Sequence, residues 1–126
     1  MNLLAVASGG ALGASLRYLI GLWITTDNHA NWPWATLSVN ILGSALLGGV
    51  AIYAVESGTV STSLRLFLAV GLCGGFTTFS SFAYETADVA ARGMPLRAGL
   101  YAMASVVLCI AAVLGGGAIG QLLARR

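Results

Sequence analysis

The residues best suited to chemistry gather in one apolar stretch, GLCGGFTTFSSF, from Gly71 to Phe82. Four hydroxyl side chains, Thr77, Thr78, Ser80 and Ser81, alternate there with three phenylalanines, Phe76, Phe79 and Phe82. Hydroxyls both donate and accept hydrogen bonds, and a phenylalanine ring has a negative face but a positive edge. Phe79 and Phe82 are three apart, so on a helix their rings share one side. With Ser80 and Ser81 between them, these rings can line an anion route without any formal charge. The competing use of such a pair is packing against lipid or protein. Gly74 and Gly75 weaken a helix, and the hydroxyls compete for backbone partners. The stretch therefore reads as a discontinuity. Freed carbonyls at such a break attract cations, and half-helix N-termini attract anions. A glycine packing notch is the alternative.

Three further stripes recur at i+4, the spacing that shares a helix face. The first is Gly9, Gly13, Arg17 and Gly21. Glycines so spaced let membrane helices approach closely, which points Arg17 into protein. A guanidinium there either serves a permeation route or ties down carbonyls and helix ends. The second is Thr36, Asn40, Ser44 and Gly48. Ser44 and Gly48 read as interhelical glue, and Asn40 is either glue or an amide donor facing a route. The third is Tyr101, Ser105 and Cys109, a graded polar track of phenol, hydroxyl and thiol on an apolar helix. Gly115, Gly116, Gly117 and Gly120 read as packing residues or as loosening of a helix end.

No nucleophile, base and orienting group assemble from the rest. The single histidine, His29, lies in a loop beside Trp32, Pro33 and Trp34, and those tryptophans read as an interfacial belt. The carboxylates are Asp27, Glu56, Glu85 and Asp88, and none falls mid-span. Cys73 and Cys109 have no CxxC spacing and read as buried thiols rather than a disulfide or a metal pair. A hydrolase, a clustered metal site, a nucleotide fold and nucleic-acid binding are therefore disfavoured. Proton-coupled export needs a membrane-embedded carboxylate, and the first span carries Arg17 instead. That favours passive anion conduction over a small-molecule exporter. A non-conducting packing subunit would leave the hydroxyl track unexplained.

The elements that must hold these residues follow from composition. Hydrophobic residues make up 58% of the 126 and charged residues 8%, with a mean hydropathy of +0.88. No ordinary soluble surface tolerates this. A spanning helix takes about 20 mostly apolar residues, and four stretches qualify: Leu3–Ile24, Pro33–Val55, Leu64–Val89 and Leu96–Ala124. The expectation is an all-α integral membrane protein, one four-helix transmembrane channel domain over residues 1–126, with its third helix broken near the midplane. The first stretch lacks a basic residue ahead of its apolar run and is too long for a signal-peptide core, so it reads as a span. Alternate sides carry Arg65, Arg125 and Arg126 against Arg92 and Arg97. Three against two is a weak positive-inside bias. It is compatible with insertion in both directions and antiparallel pairing, or with one orientation fixed by Arg125–Arg126.

These residues resemble the CrcB/Fluc family of fluoride channels along essentially the whole chain. The resemblance rests on GGALGASLRY, TLSVNILGS and above all GLCGGFTTFSSF. It implies an antiparallel, dual-topology homodimer in the bacterial inner membrane, with a heterodimer of two homologues as the variant form. Each dimer would hold two fluoride-selective pores that passively export cytoplasmic fluoride and relieve its toxicity. By resemblance the fluoride pathway comprises Asn40, Phe79, Ser80, Ser81, Phe82, Tyr101, Ser105 and Cys109, although a hydroxyl is the expected group at the Cys109 position. Arg17 would sit by an aqueous vestibule and Glu85 near a pore end. Backbone carbonyls of Gly74 and Thr77 from both subunits would hold a central structural sodium ion. Fluoride is small and tightly hydrated, so a pore must replace its water with close donors.

Overall fold

The computed structural model describes residues 2–25 and 32–126. His29 and Asp27, discussed above, lie outside the described residues. The described chain is all helical: α1 (Asn2–Thr25), α2 (Trp34–Ser57), α3 (Thr62–Arg65), a π-helical segment (Leu66–Cys73), α4 (Gly74–Phe76), α5 (Phe79–Ala91) and α6 (Pro95–Ala124). Four helical stretches are long and apolar enough to cross a membrane: Asn2–Ile24, Trp34–Ser57, Thr62–Ala91 and Pro95–Ala124. They extend the stretches expected from hydropathy by a few residues at some ends, because capping and not hydropathy decides where a helix stops. Gly58, at φ 63°, closes α2 in the left-handed conformation that a Cβ disfavours. The Ser61 hydroxyl accepts the Leu64 N–H to start α3, and Pro95 opens α6 where its missing N–H costs nothing.

Two helix pairs make the bundle. α1 lies along the π-helical segment and α4, α2 lies along α6, and α5 folds back onto α6. Small residues set both close approaches. A Cβ added at Gly9 would fall on the Phe67 carbonyl oxygen, and one at Gly13 on that of Leu72. From the opposite side, a Cβ at Gly71 would come within 2.8 Å of the Val6 carbonyl oxygen, and one at Gly75 within 2.5 Å of that of Gly10. In the other pair, Gly48 faces the Val113 carbonyl, Gly116 that of Ala45 and Gly120 that of Gly49. Between membrane helices, where lipid is as apolar as leucine, such backbone contact is the main source of association. The outward side chains are large and apolar: Leu3, Leu19, Val55, Leu96, Leu114 and Leu122 are all well exposed. A Cβ at Gly21 would meet nothing within 4 Å, so close helix approach covers only the first part of its stripe.

The third span is irregular in two ways. Its entry is wound as a π-helix over eight residues, a wide geometry that recurs at functional sites. Further on, helical winding stops after Phe76. Thr77 (φ −80°, ψ 158°) and Thr78 (φ −149°, ψ 116°) are extended before α5 begins. The interruption therefore falls on the two threonines and not on the adjacent glycines, as glycine content alone predicts. Gly74 itself is helical (φ −65°, ψ −36°). Gly75 instead serves the contact with α1, while the threonine hydroxyls supply local partners that let the backbone leave the helix.

Candidate functional site

The interruption is held by side chains from three directions. The Asn40 amide, on α2, donates from Nδ2 to the Thr78 carbonyl at 3.0 Å and accepts the Thr78 N–H on Oδ1 at 2.7 Å. Arg17, on α1, donates from Nε to the Gly75 carbonyl at 3.1 Å. That carbonyl is among the last of α4, which a continuing helix would have paired, and a cation suits the negative end of a half-helix. Of the two uses open to Arg17 in the sequence, the structure displays the carbonyl tie. On the far side, the Thr78 hydroxyl accepts the Ser81 N–H at 3.2 Å and donates to the Ser81 hydroxyl at 3.1 Å. It also lies 3.2 Å from the Ser80 hydroxyl. Thr78 thus caps α5 and gathers three hydroxyls at its start.

Beside this knot lies an open-sided hollow of about 250 Å³ between α2, the interruption, α5 and α6. Asn40, Phe79, Phe82, Ser105 and Cys109 line it, together with Ser44, Thr77 and Thr78. Residues from four segments thereby meet at one place. The Phe79 and Phe82 rings stand 5.4 Å apart, tilted by 50°. Phe79 is 78% exposed, so most of that ring is uncovered among the described residues. Among the described residues no carboxylate belongs to the lining; its polar groups are an amide, hydroxyls and a thiol. Ser105 Oγ is buried on the same face of α6 as Tyr101. A second hollow, of about 80 Å³, shares Thr78 with the first and is lined by Arg17, Thr36 and Ser81 among others.

Tyr101 takes a different place from the one its i+4 stripe suggests. It is not among the residues lining the main hollow. It is 1% exposed, packed between the Phe82 ring at 5.5 Å and the edge of Trp32 at 5.6 Å. Its hydroxyl donates to Glu85 Oε2 at 2.9 Å, and the Thr36 hydroxyl donates to Glu85 Oε1 at 2.6 Å. Glu85 is thus tied to α2 and α6 at once, and with Ser80, Ser81 and Tyr84 it lines an open recess. Thr36 and Ser44 are the residues whose engagement sequence reasoning missed. Both belonged to the Asn40 stripe, and that shared face was the available signal. Gly74 is exposed and Thr77 half-buried, with the Thr77 N–H and hydroxyl both donating to the Cys73 carbonyl. Among the described residues no three His, Cys, Asp or Glu side chains come together to hold a metal ion.

The family described as CrcB-like protein, Camphor Resistance (CrcB), matches this chain over residues 4–117. The chain is 43% identical over 121 residues to the fluoride-specific ion channel FluC of Agrobacterium fabrum, covering 96% of this chain and 97% of that protein. It is 41% identical over 123 residues to the FluC of Roseiflexus sp., with 98% and 99% covered. With the FluC of Thermus thermophilus it shares 50% over 105 residues, 83% of this chain and 82% of that one. Four membrane-length helices, a third span interrupted within GFTTFSSF and a match running through all four place it among multi-pass membrane proteins of one kind: the chain belongs to the CrcB family.

Proposed function

We propose that this protein is a passive fluoride-selective channel, not an enzyme, that lets fluoride leave the bacterial cytoplasm across the inner membrane. The observation that carries the proposal is the hollow beside the interrupted span. Its polar lining consists of Asn40, Ser44, Thr77, Thr78, Ser105 and Cys109 next to two phenylalanine rings, and no carboxylate among the described residues takes part. Amide, hydroxyl and ring-edge donors are what a small, tightly hydrated anion needs in exchange for water. The names of the relatives support the same substrate. Two hollows that share Thr78 in their walls suit an ion that must enter and leave again.

The working unit is an antiparallel homodimer with two pores. Phe79, exposed in the single chain, then faces the second subunit, and the interruption of the third span lies near the bilayer midplane. The end of α4 fits a central sodium ion. Its final carbonyls lack helical partners, the one at Gly75 is occupied by Arg17, and Gly74 is exposed with nothing within 4 Å of an added Cβ. Backbone oxygens of this kind suit a hard cation. When bound, sodium would add fixed positive charge between the pores, while Gly74 and Thr77 hold it.

Purified protein in liposomes loaded with fluoride or chloride decides the matter. With valinomycin balancing charge and no pH gradient, fast fluoride loss with chloride retained is expected. Retention of both anions defeats the channel reading for the homomer.

A further inference from the structure

We propose that Asn40 is the positioning residue of this path: its amide clamps the peptide of Thr78, which lines both hollows. The idea deepens the channel reading, on which only its conduction arm rests. In an unbroken helix the Thr78 N–H would donate to the carbonyl four residues back. The backbone turns extended at Thr77 and Thr78, and Asn40 Oδ1 takes that N–H at 2.7 Å while Nδ2 donates to the Thr78 carbonyl at 3.0 Å. Non-helical backbone at membrane depth is tolerated only inside protein or along a cavity, and the side-chain partner spares it the cost of unpaired groups. The two bonds also fix the amide's orientation, because the reverse flip would set NH₂ against N–H. One N–H of the side chain then remains for a ligand.

Asparagine suits this clamp as its near neighbours do not. Aspartate offers no donor to the Thr78 carbonyl, and leucine offers neither group. The side chain also stands on a rigid base, since α2 is pressed against α6 where Gly48 meets Val113 and Gly116 meets Ala45. From Thr78 the constraint passes to α5. The capping hydroxyl of the same residue holds the Ser81 N–H, which sets the direction in which Phe79 and Phe82 leave the interruption. Thr78 lines both the Asn40 hollow and the Arg17 hollow. An ion in either hollow therefore has the clamped residue in its wall.

Hydrogen–deuterium exchange on the full-length protein in lipid nanodiscs, resolved at single amides, tests this, alongside fluoride efflux from liposomes. In the wild type the Thr78 amide is expected to be protected despite its non-helical backbone; exchange at the unprotected rate would overturn the clamp, whatever any variant does. In Asn40→Ala, exchange from Thr77 to Ser81 should rise about tenfold, the factor that one or two lost net hydrogen bonds produce, and efflux should be lost. Lost efflux with unchanged exchange overturns the proposal in favour of a fluoride ligand only. Raised exchange with normal efflux also overturns it. If exchange rises through α6 as well, the variant has lost its fold and the wild-type amide decides. A wild type that moves no fluoride sinks the channel reading and leaves the clamp to stand or fall by exchange.

Discussion

The Tyr101 hydroxyl, on α6, donates to the Glu85 carboxylate on α5 at 2.9 Å, and the other carboxylate oxygen accepts from Thr36 on α2 at 2.6 Å. One carboxylate thereby joins three helices. Charge-assisted hydrogen bonds of this kind are among the stronger ones. Tyr101→Phe should lower stability by about 1–3 kcal/mol, the cost of a partly buried group left without its partner. Glu85→Gln, which keeps one acceptor oxygen, should cost less than Glu85→Ala. Thermal unfolding in a fixed detergent measures all three; equal midpoints for Tyr101→Phe and wild type would show that the bond contributes nothing.

How much of this was legible from the sequence differs residue by residue. The spans were, because apolar runs of membrane length have few other uses. The i+4 stripes marked the faces that carry Asn40, Ser105 and Cys109, but only the family resemblance put them beside the phenylalanines. The diversion of Tyr101 to Glu85 was not legible: it depends on α5 turning back beside α6, which no local periodicity encodes. The irregular stretch was readable only as a whole, since glycines and threonine hydroxyls both mark it; the partner that holds the extended Thr78 backbone, Asn40, is 38 positions away and was not.

Close backbone contact makes a sharp contrast between glycines. At Gly13 a Cβ would strike the Leu72 carbonyl oxygen and lie 2.8 Å from the Phe76 nitrogen, whereas at Gly99 it would meet nothing within 4 Å. Gly13→Ala should destabilise by about 1–3 kcal/mol through overpacking. Gly99→Ala should be neutral or stabilise by up to about 1 kcal/mol through helix propensity. Denaturation midpoints that rank the two the other way would contradict the packing described here.

Phe82 stands between the Phe79 ring and the Tyr101 ring, at 5.4 Å and 5.5 Å. Phe82→Ile keeps an apolar side chain but removes the ring edge. If that edge contacts the anion, fluoride efflux should fall about tenfold, corresponding to an interaction of about 1.4 kcal/mol. Stability should change little. Unaltered efflux would mean that the ring serves packing alone.

Replacing sodium by a larger organic cation during purification and assay should weaken the dimer, seen as a shift to monomer in cross-linking or size-exclusion profiles. Fluoride efflux is recorded separately on protein already reconstituted. Loss of the dimer without direct loss of current indicates a structural ion; loss of current in intact dimers indicates an electrostatic one. If neither changes, the sodium site is not there.

Cys109 offers the least conventional contact in the main hollow. Its thiol is a weak donor, one turn of α6 beyond Ser105, whose hydroxyl is buried beside the same hollow. A hydroxyl at the same position would donate more strongly in a similar volume. The difference between a weak and an ordinary hydrogen bond, about 0.5–1 kcal/mol, is a factor of about 2–5 in an equilibrium or a rate. Cys109→Ser should therefore raise fluoride efflux by that factor, if leaving the hollow is not the slow step, and Cys109→Ala should lower it. Fluoride-electrode traces on the two variants, normalised to protein reconstituted, give the comparison. If serine and alanine behave alike, α6 provides no polar step at this position, and the track along that helix ends at Ser105.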